Sequence, residues 1–98
     1  MDFEVTWVER SLCELEAIHD YISADNPQAA AKVVRGIRAQ AELLRAVPRM
    51  GPRYRCRLIG EIRQTISGKY RIFYEVFESE QRVEILTIWH AARQEPEL

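Results

Sequence analysis

Residues 70–89 read YRIFYEVFESEQRVEILTIW, and they carry the clearest strand pattern in the chain. From Tyr70 to Val76, an aromatic or β-branched residue returns at every second position, which is the period of one strand face. A polar turn signal follows, and the run from Ile85 to Trp89 is apolar on both faces, as in a central strand covered on each side. This stretch therefore predicts two neighbouring strands joined by a short turn.

Two further segments show the same alternation. Phe3, Val5 and Trp7 alternate with polar residues, which predicts a first strand near the N-terminus. A turn cluster of proline and glycine occupies residues 48–52, and the period of two returns after it. One face of that next strand is predicted to carry Leu58, Ile62 and Ile66.

Between the first strand and the turn cluster, the apolar period changes to that of a helix. Apolar residues at every third or fourth position predict a helix over residues 9–23, with Ser11 and Glu14 at the spacing of a capping box. Asn26 followed by Pro27 predicts a second helix start, because an Asn side chain accepts a backbone N–H and proline lacks one.

The second helix is predicted to be long. Its apolar stripe extends from Ala30 to Leu44 and reaches Val47, which corresponds to a length of about 30 Å. Gly36 interrupts this helix at a cost of about 1 kcal/mol relative to alanine. We expect the first helix to approach closely at that glycine.

The predicted order is strand, helix, helix and then three strands, which places the chain in the α+β class with a largely antiparallel sheet. A chain of 98 residues, 47% of them hydrophobic and 30% charged, has room for one core. We therefore predict a single domain over residues 1–98, with a two-helix hairpin followed by a three-stranded antiparallel meander.

The sequence also suggests a compartment. No apolar run approaches the roughly 18 residues of a membrane span, and the first residues lack the pattern of a signal peptide, so a cytoplasmic protein is expected. Cys13 and Cys56 stand alone, without metal-ligand spacing, and are expected to be reduced thiols. We expect no metal and no cofactor.

The net charge of −1 conceals an uneven distribution. Residues 1–26 carry seven acidic side chains and one basic one, whereas residues 27–57 carry eight basic side chains and one acidic one. The molecule is therefore expected to be dipolar. Nucleic-acid binding over its whole surface is not expected.

The sequence motifs of nucleotide binding and of serine hydrolysis are both absent. The four glycines are isolated, and none opens a helix after a strand as a phosphate-binding loop requires. No serine lies in a GxSxG context, which argues against a serine hydrolase. His19 lies beside the apolar stripe of the first helix, which favours a packing histidine over a ligand or a base, and it is assigned no functional role.

The sharpest local charge feature is a run of four arginines, with Tyr54 among them and no acid. One interpretation is an edge strand that charge protects from self-pairing. The other is a surface for phosphate or for an acidic peptide, since guanidinium groups bind both in a bidentate manner. The arginines are Arg49, Arg53, Arg55 and Arg57.

A second candidate site lies where the last predicted strand ends at Trp89 and is followed by His90 and Arg93. A histidine near neutral pKa, helped by arginines that hold phosphate, is suited to cleaving RNA by general acid–base catalysis. The other interpretation is a hydrogen-bonded histidine that ends the sheet, and the spacing alone favours it.

Taken together, several blocks resemble the RelE/ParE superfamily of toxins from type II toxin–antitoxin modules. The resemblance implies the strand, two-helix and three-strand order predicted above, and an antitoxin as partner. The blocks are Val5-Thr6-Trp7, Leu12 with Glu14-Leu15, Ile18 through Tyr21-Ile22, Asn26 to Ala30, Pro48 to Gly51, Tyr70 to Tyr74, Ile85-Leu86 and His90 to Arg93.

Within the superfamily, the long hairpin and the final His-x-x-Arg resemble ParE, whose members inhibit DNA gyrase and serve plasmid or chromosome stabilisation. This resemblance implies a toxin without chemistry of its own, held in a higher-order complex with its antitoxin. The alternatives are a RelE-like ribosome-dependent mRNA endoribonuclease that uses His90, Arg93 and Arg63, and an inert relative that only binds antitoxin. Residues expected to bind the target or the partner are Arg49, Arg53, Arg55, Arg57, Trp89, His90 and Arg93.

Overall fold

A computed structural model describes residues 2–92 as a five-stranded sheet that carries two helices on one face. The α+β class predicted from the sequence is confirmed, and the structure adds one short strand to the predicted order. The elements are β1 (Glu4–Trp7), α1 (Glu9–Ser23), α2 (Pro27–Glu42), a 3₁₀ turn (Leu43–Arg45), β2 (Arg53–Cys56), β3 (Glu61–Ser67), β4 (Tyr70–Phe77) and β5 (Arg82–His90).

The first helix has the predicted bounds, but its start is not a capping box. Val8 occupies the cap position, and no side chain caps the helix there. Ser11 lies inside the first turn, where its hydroxyl donates to the Val8 carbonyl at 2.7 Å. Glu14 faces the sheet instead, so the predicted pairing of Ser11 with Glu14 is wrong.

The second helix begins as predicted. Asn26 Oδ1 accepts the Ala29 N–H at 3.0 Å, with Pro27 at the first helical position. The α-helix ends at Glu42 and a 3₁₀ turn continues the chain, so the helix is shorter than predicted. The expected contact at Gly36 is also wrong, because a Cβ there would meet Ser67 Oγ of β3 at 3.2 Å and not the first helix.

The sheet has the order β1-β5-β4-β3-β2. β1 pairs with β5 in parallel, and all other neighbours are antiparallel. β5 therefore lies inside the sheet, as its apolar run predicts. β1 matches only residues 82–85, which leaves the second half of β5 without a strand on that side.

The strand predicted after the turn cluster corresponds to β3, and the prediction of its apolar face is wrong for two of the three residues. Ile62 is fully buried, whereas Leu58 and Ile66 are exposed. Leu58 lies in the loop between β2 and β3, outside the strand. Ile66 lies one residue before the end of β3, beyond the strand's buried middle.

The core lies between the helices and the sheet. Leu15 of α1 and Ile37 of α2 pack against apolar side chains of β4 and β5. Each fully buried aliphatic or aromatic side chain contributes about 1.5–3 kcal/mol to folding. Cys13 and Cys56 are exposed free thiols, as expected. Within residues 2–92, no helix combines the length and apolar character needed to cross a membrane.

Candidate functional site

The first candidate region is a groove at the end of β5, where the helical hairpin meets the sheet. One part, of about 430 Å³, lies between α1 and the end of β5, and a second part, of about 550 Å³, continues towards α2 and the β3–β4 turn. Tyr70 and His90 line both parts. The other lining residues are mainly apolar, with Ile18, Tyr21, Ile22, Val33 and Ile88 among them, and Lys32 and Lys69 also line the second part.

Glu14 closes one wall of this groove. Its Oε1 accepts from the Thr87 hydroxyl at 2.6 Å and from the Ile88 backbone N–H at 3.0 Å. Since β1 ends before this point, Ile88 has no strand partner on that side of β5. The Glu14 carboxylate accepts the Ile88 N–H in place of a strand. Glu14 thereby joins α1 to β5.

His90 lies at the mouth of the groove, across the sheet from Tyr70. The two rings meet edge to face, with their centroids 5.4 Å apart. His90 Nδ1 accepts the Ala92 backbone N–H at 3.1 Å. In the neutral ring the proton is therefore on Nε2, which then acts as a donor and has no lone pair to accept a proton.

The other predicted residues of this region are only partly described. Trp89 is half-buried and is paired with Arg71 in the β4–β5 register. Arg93 lies outside the described residues, so its position relative to His90 stays a prediction.

The second candidate region is the arginine run, of which Arg53 and Arg55 lie in β2, the outer strand of the sheet, while protection of this edge from self-pairing stays a prediction. Arg49, Arg53 and Arg57 contact acidic side chains of the chain itself. Arg55 stacks over the Tyr54 ring, 5.9 Å from its centroid. The ion pairs are Arg49 with Glu61 at 2.6 Å and Glu78 at 3.4 Å, Arg53 with Glu61 at 3.3 Å, and Arg57 with Glu75 at 3.7 Å.

Two of these acids have shifted pKa values. For Glu61, burial by itself would raise the pKa, but the hydrogen bond from Arg49 and the charges of Arg63 and Arg49 outweigh it and lower the pKa. For Glu75, burial dominates over the charge of Arg57, and the pKa is raised. Much of the positive charge predicted for this edge is therefore balanced inside the molecule.

Arg63, a candidate for the ribonuclease alternative, serves the loop before β2. Its side chain is only 13% exposed, and its Nη1 donates to the Gly51 carbonyl at 2.7 Å. Arg63 pairs with Tyr74 of β4, whereas His90 pairs with Tyr70. Four residues along a strand span about 13 Å. The structure therefore does not bring Arg63 and His90 together.

Sequence reasoning misses three groups that organise these regions. The sequence predicts Glu14 to be part of a helix cap, and nothing in the sequence distinguishes Glu61 from the other acidic residues. Tyr74 is fully buried, and its hydroxyl accepts the Gly51 N–H at 3.0 Å. Burial is the main cause that raises the pKa of Tyr74. No local pattern marks these groups, because the main partner of each lies 12 or more residues away along the chain.

The sequence profile described as the ParE toxin of the type II toxin–antitoxin system parDE matches residues 5–95. The chain belongs to the ParE toxin family. It is accordingly a toxin of a type II toxin–antitoxin system, and the RelE/ParE resemblance found in the sequence is confirmed.

Individual relatives agree with this family. The candidate toxin Y4kP of Sinorhizobium fredii is 34% identical over 94 residues, which cover 96% of this chain and 94% of that protein. A chain of the archaeal RelE–RelB complex from Pyrococcus horikoshii OT3 has a TM-score of 0.71 at 16% identity, and the match covers 96% of this chain and 100% of that one. A chain of the chromosomal ParDE system from P. aeruginosa has a TM-score of 0.70 at 23% identity, over 90% of this chain and 95% of that one. These two structures share the fold.

Proposed function

We propose that this chain is a ParE-like toxin that inhibits DNA gyrase by binding to it, without chemistry of its own. We further propose that a cognate antitoxin neutralises it. The observation that carries the proposal is the environment of His90, which lies beside an apolar groove with Nδ1 already occupied by Ala92. A groove of this kind suits a protein surface better than a phosphate chain.

The arginines support the same conclusion. A ribonuclease of the alternative type needs guanidinium groups beside its acid–base residue to bind the phosphate charge that develops. Arg63 instead donates to Gly51, and Arg49, Arg53 and Arg57 contact glutamates of the chain. Within residues 2–92, His90 itself contacts the Tyr70 ring and the Ala92 backbone, and the cations that line its groove are Lys32 and Lys69 rather than arginines.

An antitoxin partner is supported by the family and by the small size of the core. Fold relatives include chains from the RelE–RelB complex of Pyrococcus horikoshii and from the intact RelBE toxin–antitoxin complex of E. coli. Binding to the folded state alone, at a free concentration 100 times the Kd, adds about 2.7 kcal/mol to the free energy of unfolding. The antitoxin encoded beside this chain should therefore co-purify with it and raise its melting temperature, and a partner that does neither would contradict this part of the proposal.

A supercoiling assay with purified gyrase tests the target directly. We expect the chain to block supercoiling and to cause accumulation of gyrase–DNA breaks in cells, and we expect added antitoxin to reverse both effects. Unimpaired gyrase together with rapid cleavage of messenger RNA would instead indicate the ribonuclease. Normal growth and unimpaired gyrase would indicate a chain that only binds antitoxin.

Substitutions at the end of β5 separate binding from catalysis. His90→Ala should keep most of the toxicity, whereas Trp89→Ala combined with Arg93→Ala should lose it, because Trp and Arg most often dominate the energy of protein interfaces. Loss of a general acid–base catalyst would lower the rate by roughly 100- to 10,000-fold. Circular dichroism and antitoxin binding provide the folding control. A folded His90→Ala protein without toxicity would refute the binding mechanism.

A further inference from the structure

Glu61 is the point at which three guanidinium groups converge. Its Oε1 accepts from Arg49 Nε at 2.6 Å and lies 3.4 Å from Arg63 Nε, while its Oε2 lies 3.3 Å from Arg53 Nε. Arg49 comes from the loop before β2, Arg53 from β2, and Arg63 from β3. We call these three arginines the β2-edge cradle. Its arrangement is typical of a site that holds an anion between guanidinium groups.

The cradle offers more donors and more positive charge than Glu61 takes up. Arg63 Nε is buried and makes no hydrogen bond within residues 2–92. Arg49 directs a second nitrogen to Glu78, whose side chain is mostly exposed. Three arginines thus face two glutamates, and one positive charge is left over. A phosphodiester of RNA carries one negative charge and two free oxygens, as the Glu61 carboxylate does, so guanidinium groups that hold one of these anions can also hold the other.

Exposure shows which part of the cradle a ligand can reach. The side chains of Arg49 and Arg53 are 42% and 58% exposed, while Glu61 is 15% exposed beneath them. The carboxylate therefore occupies the inner position and the two outer arginines close over it. A phosphate group that entered from solvent would meet Arg49 and Arg53 first, and it would be repelled by Glu61 behind them.

We propose that the β2-edge cradle is an anion site suited to the phosphate groups of RNA, and that Glu61 is a specificity-determining residue that fills it. By occupying the site from inside, Glu61 excludes RNA from this edge of the sheet. The proposal is independent of gyrase as the target, because it concerns a ligand that the β2 edge rejects.

The test is binding of a fluorescently labelled 20-nucleotide poly(A) RNA to the full chain at low salt. Glu61→Gln keeps the size of the side chain and removes its charge, and it should bind this RNA at least tenfold more tightly than the wild type. The slope of log affinity against log salt should become steeper by about 0.7 for each additional phosphate that the protein neutralises. Glu42→Gln is the matched control, since Glu42 pairs with a single exposed arginine, Arg45.

The outcomes separate a specific site from a general effect of charge. Equally tighter binding by Glu61→Gln and Glu42→Gln would show that net charge alone is responsible, and unchanged binding by Glu61→Gln would show that no site is opened. Either result overturns the proposal. Adding Arg53→Ala to Glu61→Gln should return the affinity most of the way to that of the wild type, and an unchanged affinity in the double variant would place the RNA elsewhere and overturn it too.

A second variant covers the case in which Glu61→Gln does not fold. Glu61→Asp keeps the net charge and draws the carboxylate back from the outer arginines by one methylene. It should also bind the RNA more tightly than the wild type, by a smaller factor. Binding equal to the wild type in a folded Glu61→Asp protein would then overturn the proposal.

Discussion

Removal of the Glu14 carboxylate should destabilise the fold more than removal of any exposed acid on the same helix. Glu14 Oε1 accepts two hydrogen bonds, from the Thr87 hydroxyl and from the Ile88 N–H. Hydrogen bonds to a charged group contribute about 1.5–3 kcal/mol each. Because the Glu14 side chain is 26% exposed, water can replace part of the lost contact, and the lower end of this range applies. We therefore expect Glu14→Ala to lower the free energy of unfolding by about 3 kcal/mol.

Urea denaturation followed by far-UV circular dichroism measures this change. A loss of about 3 kcal/mol corresponds to a fall of roughly 12–24 °C in the melting temperature of a domain of this size. Glu14→Gln should cost about half as much, because its amide oxygen still accepts both hydrogen bonds without the help of a charge. Glu16→Ala is the matched control, since Glu16 is exposed on the same helix and should change stability by less than about 0.5 kcal/mol.

The reasoning is refuted if Glu14→Ala and Glu16→Ala have the same stability. That result would mean that the free edge of β5 is satisfied equally well by water. It would also mean that α1 is held on the sheet by apolar contacts alone, among which Leu15 is central.

Two further predictions concern stability. Tyr74→Phe leaves the Gly51 N–H without its acceptor, so it should lower the free energy of unfolding by about 1–3 kcal/mol in urea denaturation, and a change below about 0.5 kcal/mol would show that another group replaces the hydroxyl. The pKa of Glu61 is lowered in the folded state from about 4.5, so its contribution to stability is present above that pH and is lost as the pH falls through the folded value. The difference in free energy of unfolding between the wild type and Glu61→Gln should therefore shrink below about pH 4.5, and a difference that grows on acidification would contradict this sign.

The candidate site can be predicted only in part. The sequence indicates the end of β5 as a place where side chains leave the sheet, and His90 does line a groove there. Arg53 and Arg55 of the arginine run also lie in an edge strand, as one interpretation of the run predicts. Glu61 cannot be connected to Arg49 or Arg53 from the sequence, because the pairing depends on the register of β2 against β3.

Local patterns in the sequence are sufficient for the helices, the last two strands and the family. The bounds of α1 and the start of α2 agree with the predictions because helix signals act within one or two turns, as when Asn26 accepts the N–H of Ala29. The run from Ile85 to Trp89 indicates an inner strand because it is almost continuously apolar, and the structure places β5 between β1 and β4. These signals are local, so they can be interpreted before the partners are known.

The meeting of distant segments, in contrast, depends on tertiary structure. The tertiary structure places β1 in parallel beside β5 and leaves the end of β5 without a neighbouring strand. It also brings Glu14 to that edge, where the carboxylate contacts Thr87, 73 residues further along the chain. It also sets Gly36 against Ser67 and Glu61 among three arginines. Each of these contacts depends on strand order and register, which are set by the packing of the whole core, and ion pairs form only after that packing has brought their charges within about 4 Å.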